Sequence, residues 1–317
     1  MIDKPDVDER ALAAEVAAAW TLDVAGLTFL PVGLDGQAWA YRVDTSDGRR
    51  WFLKLRRGAF TPAAVRLPGF LRAHGVRQVV APVGGTPRRF GDHHLLLYPY
   101  VEGGSLWSRG LTDRQWTAYG DFLGRLHAVT PSPEIAAVLP TETYRSDAGQ
   151  RVRTLGGQAA ASASLGAFWH RYGDALHRLA ETVDALAARV PRTPHVVCHA
   201  DIHPGNLIAD GDGPLHVVDW DAPILAPRER DLMFVLSRDF GEHPIDARRA
   251  ELFRRGYGPV DPEPTVLSYY RAERHLDDVA AFLAGVLDPG ASAESRANDL
   301  HWLTRIAETV ADPGYQP

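Results

Sequence analysis

Several things are scarce in this chain of 317 residues. It has one cysteine, Cys198, which excludes any disulfide within the chain and suits a reducing compartment. No run approaches the ~18 to 20 consecutive apolar residues that a membrane span requires. The first residues, Met-Ile-Asp-Lys-Pro-Asp, are acidic and lead into no apolar stretch, so no signal peptide is read and a cytoplasmic protein is expected. Lysine is nearly absent: Lys4 and Lys54 are the two, against 32 arginines. Acid is missing locally, with no Asp or Glu between Asp47 and Asp92. A global basic footprint is lacking too, since the net charge is −6, which argues against nucleic acid as a partner.

What remains is an ordinary globular composition, 45% hydrophobic and 23% charged. It excludes a mostly disordered chain and supports a core of normal size. Apolar spacing predicts a helix over 8–20, with Leu12, Val16 and Trp20 on one face. Strands are expected at 27–33, 38–44 and 50–55, with Asp47-Gly48 as the turn between the last two. A helix at 61–73 is interrupted by Pro68, and strand-like segments recur at 78–83 and 94–98. Beyond the linker Pro99-Tyr100-Val101-Glu102-Gly103-Gly104 the pattern turns helical, at 112–129, 165–190, 246–256, 263–287 and 292–311. Two short strands, 206–209 and 215–219, interrupt it. The charge balance also changes at the linker. Residues 1–102 carry 13 basic and 11 acidic side chains, residues 103–317 carry 21 and 29. The expected organisation is therefore a β-rich lobe, 1–102, and a larger helical lobe, 103–317.

Two stretches carry chemistry. The first is His199-Ala200-Asp201-Ile202-His203-Pro204-Gly205-Asn206, the second Val217-Val218-Asp219-Trp220-Asp221. The order H-x-D-x-x-x-x-N followed by an Asp beside a strand is that of a protein-kinase catalytic loop and its metal-binding Asp. One carboxylate, Asp201, would accept or orient a hydroxyl proton. An amide oxygen and a second carboxylate, Asn206 and Asp219, suit Mg²⁺, which prefers oxygen ligands. Lys54, inside Trp51-Phe52-Leu53-Lys54-Leu55, is a cation on a strand where arginine is the chain's default. Loop acids are common turn formers, so it is the ordered set that points to phosphoryl transfer. His199 reads as a hydrogen-bonding or packing residue, and Cys198 as a buried small side chain. A zinc site from Cys198, His199 and His203 lacks any paired ligand spacing.

These motifs resemble the aminoglycoside phosphotransferase family, which shares the protein-kinase fold. The run Trp220-Asp221-Ala222-Pro223-Ile224-Leu225-Ala226-Pro227-Arg228-Glu229-Arg230-Asp231-Leu232 and the linker Leu97–Gly103 are similar to its spectinomycin phosphotransferase branch. The resemblance covers about residues 22–285. It implies an α+β, two-lobed, protein-kinase-like fold with a small antiparallel sheet and a mainly helical second lobe. It implies transfer of the γ-phosphate of ATP, or GTP, with Mg²⁺, to a hydroxyl of a small molecule. Lys54 would reach the α- and β-phosphates. The hairpin with Gly33 and Gly36 would lie over them, and the backbone at Pro99, Tyr100 and Val101 would meet the adenine. Pro99 has no N–H, so any donor there comes from a later residue.

One departure stands out. Kinases pair the strand lysine with a Glu on the next helix, and no residue from 48 to 91 can supply that acid. Either another group such as Asp219 orients Lys54, or the small lobe is assembled differently. The acceptor site is expected among Asp221, Glu273 and Asp277. The acidic helical lobe suits a cationic acceptor, an aminocyclitol of the spectinomycin kind. Two alternatives stay open: a metabolic kinase for a choline, homoserine or sugar acceptor, and a nucleotide-binding pseudokinase without turnover.

Overall fold

In the computed structural model of the protein, residues 3–33, 36–236 and 245–317 are described. The first elements are α1 (Glu9–Trp20), β1 (Val24–Leu30), β2 (Ala38–Thr45), β3 (Arg50–Arg57), α2 (Pro62–Ala73), β4 (Arg88–Phe90) and β5 (His93–Pro99). Then come β6 (Gly104–Ser105), α3 (Leu106–Arg109), α4 (Asp113–Ala128), α5 (Pro133–Ala136), α6 (Ala148–Ala161) and α7 (Gly166–Ala187). The rest are β7 (Val196–Cys198), a 3-10 turn at Pro204–Asn206, β8 (Leu207–Ala209), β9 (His216–Val217), β10 (Ile224–Ala226), α8 (Glu229–Leu236), α9 (Ala247–Tyr257), α10 (Pro264–Leu287) and α11 (Ala293–Ala311).

The chain divides into two compact units. One comprises the described parts of Ile2–Glu142 and Pro194–Asp261, the other Thr143–Thr193 and Pro262–Pro317. The expected boundary at residue 102 falls within the first of these units. The linker runs directly into β6, and β6 pairs with β8, which pairs with β9. Val79 makes a parallel bridge to Val217 of β9, and the Val80 N–H donates to the Val217 carbonyl. These backbone bonds tie the strands of residues 196–226 to the first hundred residues.

In the larger unit the sheet runs β1-β2-β3-β5-β4, each neighbour antiparallel. Period-two alternation assigns its faces. Leu53 and Leu55 of β3 join Tyr41, Val43, Leu95 and Leu97 in a core closed by Leu12 and Val16 of α1. Lys54 therefore projects to the opposite face. Its register partner there is Leu96, which packs with Phe60 and with Val65 of α2. Asp8 caps α1, accepting from the N–H groups of Arg10 and Ala11, as an N-cap should.

Three sequence expectations change. Pro68 does not interrupt α2, which continues to Ala73; burial of Leu67, Pro68 and Leu71 outweighs the one helical hydrogen bond that a proline removes. Residues 78–83 form only an isolated bridge. Strand β4 and helix α6 have no counterpart in the sequence reading; β4 is three residues at the sheet edge, and α6 is rich in Ala and Gly.

Helices α4 and α9 cross at glycines. A Cβ on Gly120 would run into the Phe253 carbonyl, and one on Gly256 into the Thr117 carbonyl. Thr112 and Gln115 form a reciprocal capping box at the start of α4. The smaller unit consists of α6, α7, α10 and α11 packed on one another. Among the described residues, no helix is long and apolar enough to cross a membrane.

Candidate active site

Strand β7 delivers the loop His199–Asn206 and pairs with β10 behind it. The loop is held from below by Asp231 of α8, which is fully buried. Its carboxylate accepts the His199 N–H at 3.0 Å and the Ala200 N–H at 2.7 Å. His127 Nε2 stands 3.1 Å from the same carboxylate, and its Nδ1 is 2.8 Å from the Tyr257 hydroxyl. Tyr119 donates from its hydroxyl to the Ile202 carbonyl at 2.6 Å. Ala200 sits at φ +71°, a left-handed conformation unusual for a residue with a Cβ. The anchoring of its own N–H and that of His199 sustains it.

His199 is buried and spends both ring nitrogens inside the site. Nε2 lies 3.0 Å from the Val218 carbonyl, and Nδ1 accepts the Asp201 N–H at 3.3 Å. That assigns a neutral ring with its proton on Nε2 and agrees with the packing role read from sequence. Cys198 is fully buried, and burial pushes its thiol pKa well up. His127, Cys198 and Asp231 offer ligand atoms within 4.8 Å of one another. Both Asp231 oxygens already accept backbone N–H groups, so this cluster reads as support for the loop.

Asp201 and Asn206 meet across the 3-10 turn. The Asn206 amide nitrogen donates to the Asp201 carbonyl at 2.7 Å and to Asp201 Oδ2 at 3.1 Å. Its amide oxygen takes part in neither bond. The Val218 N–H donates to the Asn206 carbonyl at 3.1 Å, which fixes the strand carrying Asp219 against the loop. Asp219 itself has φ +63°, a second left-handed non-glycine residue.

Lys54 completes the group. Its Nζ lies 2.7 Å from Asp219 Oδ1 and 2.8 Å from Asp221 Oδ2. Arg56, two residues along β3 and so on the same face, places Nη1 2.7 Å from Asp221 Oδ2. Burial opposes the Lys54 charge, but the two carboxylates outweigh it and hold its pKa above the ordinary lysine value. Burial also works to raise Asp219, and the Lys54 ammonium outweighs it, holding this carboxyl below its usual range. At Asp221 burial wins and lifts the pKa above the ordinary aspartate value, against the pull of Lys54.

The other expected residues lie as follows. Gly33 follows β1 at φ +94° and Gly36 precedes β2 on the surface, while Leu34 and Asp35 between them lie outside the described residues. Pro99 ends β5 opposite Trp51. The Tyr100 N–H is directed at the Arg50 carbonyl, 3.4 Å away, and Val101 is half-buried. Gly103 needs its glycine twice over, with φ +106° and a Cβ position blocked by the Ala209 backbone. Glu273 and Asp277 lie on α10 in the smaller unit, where Glu273 is buried and Asp277 pairs with Arg151 at 3.3 Å. Asp221, placed among acceptor contacts by the sequence, is engaged by the two β3 cations.

Sequence reasoning does not single out Arg56, His127 or Tyr119. Arg56 has a usable signal, its i+2 spacing from Lys54. His127 reaches Asp231 across 104 residues and Tyr119 reaches the loop at Ile202 across 83, distances no local pattern spans.

A loop carboxylate, an amide oxygen, a second carboxylate and a strand cation are the parts of a phosphoryl-transfer site. The family profile of the APH phosphotransferase enzyme family matches residues 27–270. The chain belongs to that family. It is a small-molecule kinase with an α+β, protein-kinase-like fold, an antiparallel five-stranded sheet followed by a largely helical part. Protein StrN of Streptomyces griseus is 27% identical over 287 residues, 84% of this chain and 82% of that protein. The spectinomycin phosphotransferase APH(9)-Ia, solved with ADP and spectinomycin, superposes with a TM-score of 0.84 at 25% identity, covering 96% of this chain and 99% of that one. The amicoumacin kinase hAmiN, solved with AMP-PNP and Ca²⁺, shares the fold with a TM-score of 0.67 at 15% identity, over 96% and 93% of the two chains.

Proposed function

We propose that this phosphotransferase moves the γ-phosphate of ATP, or GTP, to a hydroxyl of a small cationic aminocyclitol of the spectinomycin kind. The observation that carries the reading is the Lys54–Asp219 contact of 2.7 Å. It brings a strand cation of the sheet to the carboxylate that follows the catalytic loop. Asp201 accepts or orients the acceptor's hydroxyl proton. Lys54 binds phosphate oxygens, the segment with Gly33 and Gly36 covers them, and the linker at Pro99, Tyr100 and Val101 receives the base. With the Tyr100 N–H directed at the Arg50 carbonyl, the linker donor is assigned to a later residue, Val101 being the first of them. In this reading residues 1–102 are the nucleotide lobe and residues 103–317 bring the catalytic loop and the acceptor site.

The donor atoms fit Mg²⁺. The Asn206 amide oxygen and the Asp219 carboxylate are hard oxygen ligands, and the Asp219 side chain is 42% exposed. Mg²⁺ held by them would neutralise phosphate charge. Support for the acceptor class comes from the spectinomycin seen with APH(9)-Ia. Amine contacts are assigned to Glu273 and Asp277, with Asp277 drawing the weaker support because Arg151 already pairs with it.

ADP release is measured with spectinomycin, related aminocyclitols, choline and simple sugars. Turnover with the aminocyclitols is expected, and Asp201→Ala should lower kcat by about 10²–10⁴-fold while Mg²⁺·ADP binding persists. Turnover of choline or sugars alone would replace this reading with a metabolic kinase. Nucleotide binding without any turnover would mark a pseudokinase.

A further inference from the structure

The face of the sheet that carries Lys54 is covered by a helix without acid. Leu96, the register partner of Lys54, packs on Phe60 and Val65, and α2 reads Pro-Ala-Ala-Val-Arg-Leu-Pro-Gly-Phe-Leu-Arg-Ala. A phosphate-binding lysine needs a carboxylate to hold its flexible stem in place. Asp219 contacts it but is also a proposed metal ligand, so it cannot serve as a dedicated anchor. Asp221 has no such second duty in the metal pair. It lies 2.8 Å from Lys54 Nζ, and Arg56 braces the same oxygen at 2.7 Å. Its side chain is 23% exposed, so the ion pairs are only partly screened by water.

We infer that Asp221, braced by Arg56, is the positioning residue for Lys54, replacing the helix glutamate that this chain lacks. The inference rests on the phosphotransferase reading above and assigns Asp221 to the nucleotide side of the site. Without Asp221, Lys54 has Asp219 as its remaining carboxylate partner. The ammonium then competes for an oxygen that the metal requires, and the phosphates lose a correctly placed cation. Arg56 acts one step further back, by keeping the Asp221 carboxylate turned toward β3.

The test is a double-mutant cycle between Lys54→Met and Asp221→Asn, read by kcat, by acceptor KM and by calorimetric binding of Mg²⁺·ADP. In the otherwise native enzyme, Asp221→Asn should lower kcat and weaken Mg²⁺·ADP, each by about tenfold, as for loss of a charged hydrogen bond. Acceptor KM should stay within about twofold, on the same scale. In the Lys54→Met background Asp221→Asn should have no further effect, whereas with Lys54 present Asp221→Glu should keep part of the binding that Asp221→Asn loses. Arg56→Gln should show the same signature more weakly, and it replaces Asp221→Asn if that variant does not fold. A rise in acceptor KM with unchanged kcat would make Asp221 an acceptor contact and overturn the inference. Equal losses with and without Lys54 would overturn it as well. A native enzyme that neither binds Mg²⁺·ADP nor transfers phosphate would instead remove the phosphotransferase reading beneath it.

Discussion

The Asp231 carboxylate receives the backbone N–H of Ala200 at 2.7 Å and so fixes the left-handed turn that aims Asp201. A second N–H, that of His199, reaches the same group. Removing the carboxylate strands two buried donors, each worth about 1–3 kcal/mol when left unsatisfied.

Asp231→Ala is therefore expected to destabilise the protein by about 2–5 kcal/mol. Asp231→Asn keeps one acceptor and should cost less. Urea unfolding of the two variants measures the difference. Equal stability of Asp231→Ala and the native chain would show that water takes over both bonds.

Alkaline pH should unfold the chain early. Burial raises the hydroxyl pKa of Tyr41, Tyr98 and Tyr119 above the ordinary 10.0, and the carboxylates raise Lys54 above 10.5 against the cost of its burial. In each case the folded state keeps a proton that the unfolded state has released. Stability is then fully present below the ordinary values and falls as pH rises beyond them. The thermal midpoint should be level up to about pH 9 and decline above about pH 10. A midpoint unchanged to pH 11, about one unit past the ordinary tyrosine value, would contradict the burial of these groups.

Two glycine substitutions should move stability in opposite directions. In Gly256→Ala the new Cβ meets the Thr117 carbonyl and the Asp121 nitrogen of α4, an overpacking cost of about 1–3 kcal/mol. At Gly157 of α6 a Cβ meets nothing within 4 Å, so Gly157→Ala should gain about 0.5–1 kcal/mol from helix propensity. Thermal denaturation of both variants gives the comparison, and a loss at Gly157 would mean that this face of α6 has no room for a methyl group.

Much of this is legible along the chain because the signals are local. The alternation in Phe52-Leu53-Lys54-Leu55 marks a strand with one core face. The spacing of Asp201, Asn206 and Asp219 carries the loop and the strand after it. The acid-free stretch from 48 to 91 announces that Lys54 must find an unusual partner, and Asp219 is a candidate on sequence grounds alone. The pairing of Asp221 with Arg56 is not legible, because it joins residues 165 positions apart. Helix α6 escapes notice because Gly149, Gly156 and Gly157 depress helix propensity, and packing on α7 and α10 decides it instead. Pro68 reads as a break because local propensity takes no account of burial.

The clasp of Lys54 between Asp219 and Asp221 has one more implication. A polyanion arriving at the site does not meet a bare ammonium; it enters a swap, in which phosphate oxygens take over a role that a carboxylate was already filling. Each attraction gained is set against one given up, so the electrostatic driving force at this lysine is a difference rather than a sum. Added electrolyte weakens both sides of such a trade. Nucleotide capture through Lys54 should accordingly be less sensitive to ionic strength than the charge of a triphosphate suggests.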